Sequence, residues 1–179
     1  MADAKRWVSV SAPYVRPQAG EPDAWAQEAA QHGQAGTQLL REVAEIEPPA
    51  HIAAALGIQP GETVIVRRRT MLLDGQPVEL TDSYYPADIA RGTRLAEPRK
   101  VPGGAVRLLT ELGHTPGHAD EDVSAREPTD RERQMLHLPA GEWVLVLFRV
   151  LKSDAGRPIE ASMMTMLARG RHLRYALSL

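Results

Sequence analysis

The chain has no cysteine among its 179 residues. That excludes a disulfide framework, a thiolate metal site and a cysteine nucleophile. Aromatic residues are scarce, 4% of the total with a single phenylalanine, so the core has to be built from aliphatic side chains. Long apolar runs are missing too. The longest are strand-sized, such as Trp143 to Phe148, whereas a bilayer span needs about 20 apolar residues. The N-terminus has no signal-peptide apolar region, so the expected compartment is the cytoplasm and no membrane partner is expected. Basic residues (21) do not outnumber acidic ones (23), and the formal net charge is −2. A stand-alone nucleic-acid binder needs a basic surplus on one surface, so that class is excluded. The sequence carries no phosphate-cradling loop, dinucleotide fingerprint or nucleophile elbow, and no cofactor is expected.

What remains is a soluble composition, 43% hydrophobic and 25% charged, long enough for one domain over 1–179. Its most informative feature is a duplication. Leu56 to Glu79 reads LGIQPGETVIVRRRTMLLDGQPVE, and Leu136 to Glu160 reads LHLPAGEWVLVLFRVLKSDAGRPIE. Leu56, Gly61, Glu62, Val64, Val66, Arg69 and Asp74 recur at an offset of 80, with Ile58 matched by Leu138. Pro77 and Glu79 recur at 81, because the second turn has one extra residue. Each copy describes a helix end, a long strand, a tight turn and a return strand. Two copies are too few for a solenoid and predict one sheet made of two related hairpins, with a site between them.

The local signals fit that plan. Asp74-Gly75 predicts a type I′ hairpin turn. Trp7, Val8 and Val10 suit a short strand, and residues 22–32 a helix with Trp25 and Ala29 on one face, stopped by Gly33. Leu39 to Ile46 predicts a strand, and Pro48-Pro49 opens a helix that ends at Gly57. Gly103-Gly104 precedes a helix with Val106, Leu109 and Leu112 on its apolar side. Thr129 and Glu132 form a capping box. Asp120 to Arg126 and His172 to Leu179 are further strand candidates. The fold class is therefore α+β, an antiparallel sheet with covering helices, and residues 1–43 form a looser N-terminal part. His114 and His118 flank Pro116-Gly117, which breaks any helical ligand spacing, so a solvated loop rather than a metal site is expected there.

The run Gly61 to Pro86 (GETVIVRRRTMLLDGQPVELTDSYYP) resembles the effector-binding UTRA domain of GntR-type transcription regulators of the HutC subfamily. The resemblance continues through Val101 to Gly113, Ala125 to Thr129, Leu138 to Glu142 and Gly156 to Glu160. It implies a chorismate-lyase-like fold, a small-molecule effector in a cleft, and a homodimer that reaches DNA through a winged helix-turn-helix. No such element is recognisable in Met1 to Ile46. The expectation is a stand-alone effector domain or a trimmed chain, touching DNA only through an absent domain or a partner protein.

Site candidates follow from the strands. Arg69 shares a face with Ile65, Arg67, Met71 and Leu73, and its duplicate Arg149 shares one with Leu145, Leu147 and Leu151. Arginines on largely apolar faces suit a carboxylate or phosphate, or else an internal ion pair. A two-residue turn at Asp74-Gly75 sets Arg67 opposite Asp82 with Arg69 diagonal to it, which makes Asp82 the internal candidate, and sets Glu79 opposite Thr70, facing away from Arg69. The resemblance implies a phosphate contact at Arg69. It also implies that Met71 and Thr81 stand where sugar-phosphate binders have a second arginine and a glutamate, which argues for a less charged effector. It adds Glu160 as a ligand-contacting acid, Gly103 and Gly104 as part of the pocket closure, and Tyr175 in the closing strand. The resulting expectation is a small-molecule effector, anionic or less charged. The competing class is an enzyme of chorismate-lyase-like fold acting on a small carboxylate.

Overall fold

The computed structural model describes residues 7–16 and 23–176. Pro17, Glu21, Pro22 and residues 177–179, on which some expectations fell, lie outside them. The elements are β1 (Trp7–Ser9), α1 (Ala12–Val15), α2 (Ala24–Gln31), β2 (Gly36–Ile46), α3 (Ala50–Leu56), β3 (Val64–Leu73), β4 (Gln76–Pro86), α4 (Ala87–Ala90), a 3-10 turn at Arg94–Ala96, α5 (Ala105–Glu111), β5 (Pro116–Arg126), α6 (Asp130–Met135), β6 (Val144–Ser153), β7 (Pro158–Leu167) and β8 (Arg171–Leu173).

The duplication reaches further than its motifs. β2 and β5, α3 and α6, and β3 and β6 each begin 80 residues apart, and α2 and α5 begin 81 apart. Six strands form one antiparallel sheet in the order β2-β3-β4-β7-β6-β5, two three-stranded units meeting at the β4–β7 seam. The seam register is self-consistent under the duplication: Thr81 pairs with Met164 and Ser83 with Ser162, while Asp82 faces Met163 at the pseudo-dyad. The two hairpins thus belong to one sheet, as the sequence requires. A separate parallel pair, β1-β8, fixes the N-terminal segment.

Side-chain alternation sends each strand's residues to two faces. On one face, α3 and α6 cover Val64, Val66, Val144, Val146 and Val150. On the other, the 3-10 turn and α5 pack Leu95, Leu108 and Leu109 against Ile65, Tyr85 and Leu151. α5 therefore buries Leu108 and Leu109, and Leu112, expected on its apolar side, is 39% exposed. α2 buries Trp25 and Ala29 as expected.

Caps and turns obey the local chemistry. Asp74 and Gly75 both have positive φ, as a type I′ turn demands. Gly57 closes α3 in the left-handed region, and its counterpart His137 keeps that conformation (φ 53) despite its side chain. Thr129 and Glu132 form the full capping box. The bond from Arg126 leads the several contacts that hold the Glu132 carboxyl down at about 2.

Two expectations on strands need correction. Residues 116–126 are one continuous strand rather than a loop followed by a short strand, because β6 supplies ladder partners from Val144 to Ser153 and a bulge absorbs Gly117. Among the described residues the closing strand ends at Leu173, where its pairing with the three residues of β1 ends.

The helix–sheet contact at α2 depends on a missing side chain. A Cβ on Gly36 would lie 2.7 Å from Ala29 Cβ and 2.9 Å from the Trp25 carbonyl oxygen. Gly36→Ala is expected to destabilise the chain by about 1–3 kcal/mol through overpacking, as read from urea unfolding. An unchanged midpoint would mean that α2 does not pack as described.

Candidate functional site

Both hairpins carry a bulge in the return strand just after the turn. Met71 pairs with Glu79 and Leu72 with Pro77, leaving Val78 extra; Leu151 pairs with Glu160 and Lys152 with Pro158, leaving Ile159 extra. An extra residue reverses the facing of everything beyond it. The repeated Pro-x-Glu, Pro77 to Glu79 and Pro158 to Glu160, is the sequence trace of these bulges.

The bulge overturns two expectations. Glu79 lies opposite Met71, on the face of Arg69 rather than away from it. Asp82 lies opposite Arg68 on the reverse face, where it accepts bonds from Arg68 Nε (3.2 Å) and Arg41 Nη2 (2.7 Å). Asp82 is therefore not the internal partner of Arg67 or Arg69. Arg67 is a structural residue: buried, it donates to the carbonyls of Leu95 (2.7 Å), Glu97 (2.8 Å) and Arg99 (2.6 Å), fixing the loop that leads to Gly103.

A cleft of about 130 Å³ opens over the seam between the two halves. Seven of the eight residues singled out in the sequence line it: Arg69, Met71, Thr81, Gly103, Gly104, Arg149 and Glu160. Tyr175 does not; it is 52% exposed, and burial together with the neighbouring Glu121 carboxylate pushes its phenol up to about 12. The sequence missed Trp25, Tyr14, Gln38, Glu79, Tyr85 and the seam serine Ser162, all of which also line the cleft. An adjoining recess of about 50 Å³ runs beneath β1 and α1 and shares Tyr14, Trp25, Met71 and Met164 with it. A wider groove of about 560 Å³ by the α3 turn is unrelated: its charged residues Arg157 and Arg91 already pair with Asp88 and Glu45.

The two halves of the cleft match chemically and then diverge. Thr81 Oγ1 donates to Glu79 Oε1 (2.7 Å), and its counterpart Ser162 Oγ donates to Glu160 Oε1 (2.5 Å). The arginines differ. Arg149 is spoken for, with Nε on Glu121 Oε1 (2.5 Å) and Nη2 on Ser11 Oγ (3.0 Å), both charged side chains nearly buried. Burial works against the Glu121 carboxylate, but Arg149 and Ser11 outweigh it and keep its pKa lowered. Arg69 has no carboxylate within ion-pair distance among the described residues. Its Nη2 donates to Ser83 Oγ (2.9 Å), while its buried Nε has no partner among them. Glu160 Oε2 and Gln38 Oε1 are likewise buried and unpartnered among the described residues. Buried polar atoms without partners are rare and mark places where a ligand or water belongs.

The remaining wall comes from two helix starts related by the duplication. Gly103 and Gly104 reach α5 with φ of 76 and 86, a path closed to most side chains. Asp23 caps α2, its carboxylate accepting the Trp25 N–H (3.0 Å). The N-terminal strap closes the far side. Glu28 Oε2 accepts from Tyr14 Oη (2.8 Å), Glu28 Oε1 accepts from Trp7 Nε1 and Ser9 Oγ, and Arg171 lies over the Trp7 ring at 5.6 Å. Burial, then Glu28, pushes the Tyr14 phenol up, and burial, then Glu160, does the same to Tyr85. No group of three or more metal-ligand side chains occurs among the described residues.

A closed cleft over the seam of a duplicated antiparallel sheet defines a small-molecule-binding domain of the chorismate-lyase-like class. A family model for the UTRA domain matches residues 30–169, and the chain belongs to that family. It is 35% identical over 126 residues to an HTH-type transcriptional regulator of Streptomyces coelicolor, covering 69% of this chain and 47% of the relative. The chain spans about half the length of the curated relatives it matches. Its fold superposes on the ligand-binding domain of a GntR-family transcriptional regulator from Bordetella bronchiseptica (27% identity, TM-score 0.70, 80% of this chain and 91% of that one). It also superposes on PhnF from Mycobacterium smegmatis (16% identity, TM-score 0.80, 97% and 72%), a likeness of fold alone. These relatives are regulators, which supports a GntR-type effector-binding domain over the enzyme alternative.

The ion-pair assignments generate a stability prediction. Asp82→Ala removes the carboxylate shared by Arg41 and Arg68 and is expected to cost about 1–2 kcal/mol. Arg69→Met, on a largely apolar cleft face, is expected to cost less than about 1 kcal/mol. Thermal unfolding in the opposite order would refute this division of the arginines.

Proposed function

We propose that this chain is the sensor of a HutC-type transcription regulator. It binds a small metabolite over the β4–β7 seam and passes the occupancy on through a homodimer in the cytoplasm. Arg69, Met71, Thr81, Gly103, Gly104 and Glu160 form the ligand site; Arg149 lines it as a wall residue already paired with Glu121, and Tyr175 supports it from outside through Glu121. The observation that carries this reading is a single cleft over the seam that is lined by seven of the residues expected from sequence and resemblance and that also holds buried, unpartnered polar atoms among the described residues. The single-domain reading over 1–179 makes DNA contact the task of another domain or of a partner protein. No helix among the described residues is long and apolar enough to cross a membrane.

Binding should respond to Arg69 without the fold responding. Arg69→Met is expected to weaken effector affinity by about 1.5–3 kcal/mol, the scale of a charge-assisted hydrogen bond, with the melting temperature held. Calorimetric titration that gives equal affinity for the variant and the wild type would remove Arg69 from the site.

Association through a sheet edge is the second element. β2 and β5 are the two edges of the six-stranded sheet and carry Leu39 (57% exposed) and Val123 (45% exposed). Unpaired edges invite pairing with a second copy, and two-fold closure is the commonest outcome. Light scattering at micromolar concentration is expected to report a dimer, and a monomer throughout would contradict this part of the reading.

A further inference from the structure

The hydrogen bonds across the seam have a direction. Each serine hydroxyl has one proton to give. Ser162 gives its proton to Glu160 Oε1 (2.5 Å), so at the Ser83–Ser162 contact (2.7 Å) Ser83 is the donor. Ser83 in turn accepts from Arg69 Nη2 (2.9 Å). The chain therefore runs one way, Arg69 to Ser83 to Ser162 to Glu160, from a cation in the first half to a carboxylate in the second. At its ends stand a free donor, Arg69 Nε, and a free acceptor, Glu160 Oε2, both buried and without partners among the described residues. Arg69 and Glu160 both line the cleft, and Glu160 is only 7% exposed.

From this geometry we infer that the effector is a small zwitterion. An acidic group faces Arg69 Nε and an ammonium faces Glu160 Oε2. The inference rests on the effector-binding reading above and narrows it. The charge balance of the cleft supports it against the anion expected from sequence. Its lining has two arginines, Arg69 and Arg149, against three carboxylates, Asp23, Glu79 and Glu160. Arg149 is already paired with Glu121. At the start of α2 the Trp25 N–H is already taken by the Asp23 carboxylate, which puts a negative charge where an anion would sit. Asp23 is paired with Lys100 (3.5 Å) and Glu79 with Arg171 (3.8 Å), so the lining charges without an ion-pair partner among the described residues are one guanidinium, Arg69, and one carboxylate, Glu160; an anion alone would leave Glu160 without the charged donor that best satisfies a buried carboxylate. Size sets a further limit. A cavity of about 150 Å³ holds benzene, so a cleft of about 130 Å³ takes a molecule of amino-acid scale, its apolar part against Met71, Leu151 and Met164.

The test uses the whole chain and a small-molecule extract of its host cells. Cation-exchange resin at acid pH retains every amine and passes amine-free acids and sugars. Anion-exchange resin at alkaline pH then separates amines that carry an acid from those that do not. The three pools are added to the chain and thermal unfolding is recorded. The expected result is a rise of roughly 3 °C or more with the amine-plus-acid pool alone, and loss of that rise in both Glu160→Gln and Arg69→Met. A rise with the amine-free pool, or with the simple-amine pool, would overturn the zwitterion, as would a full rise in Glu160→Gln. Absence of any rise in all three pools would instead sink the effector-binding reading itself. The wild-type result decides the ligand class even if a variant folds poorly.

Discussion

Everything at the cleft depends on the antiparallel pairing of β4 with β7. Among the described residues, that pairing is the only strand ladder joining the two duplicated halves of the six-stranded sheet. It brings Ser83 against Ser162 and so connects Arg69 of one half to Glu160 of the other. A one-residue slip would turn every side chain on one half to the opposite face. The arginine would then stand on the α3 and α6 side and the cleft would lose its charged floor. The fold and the site are therefore specified by the same register.

The paired bulges do the aiming. Without Val78 and Ile159 as extra residues, Glu79 and Glu160 would project to the face covered by α3 and α6. With them, both carboxylates enter the cleft and each accepts a bond from a hydroxyl two residues on. The duplication then serves as a scaffold on which the two halves have diverged. Arg149 was matched to Glu121 and Ser11, which ties β5, β6 and the N-terminal segment together. Arg69 was left with a serine and an unused N–H. One arginine holds the structure and its counterpart is free for a ligand. That asymmetry gives a nearly symmetric sheet a cleft whose two halves differ in chemistry.

Much of this was legible in the sequence, for physical reasons. The period-2 alternation, Asp74-Gly75 and the 80-residue offset sufficed for two hairpins in one sheet, and the match of Arg69 to Arg149 located the cleft. Local signals could not show the bulges, because a bulge depends on what the partner strand offers. That is why Asp82 and Glu79 were assigned to the wrong faces, although the repeated Pro-x-Glu was the available clue. The strand from Pro116 was also hidden. Its run PGHADEDVSAR has little apolar alternation, since β5 is an edge strand with one solvated side. Gln38, Tyr14 and Trp25 could not be chosen because they enter the cleft from the N-terminal part, whose packing is tertiary rather than local.

The central claim is that one small molecule sits over the seam and is held from both halves at once. Native mass spectrometry of the chain purified from its own host tests this most directly, by comparing wild type with an Arg69→Met, Glu160→Gln double variant. The account predicts one small-molecule adduct per chain on the wild type and none on the double variant. An adduct retained equally by both proteins would place the ligand elsewhere and contradict the account.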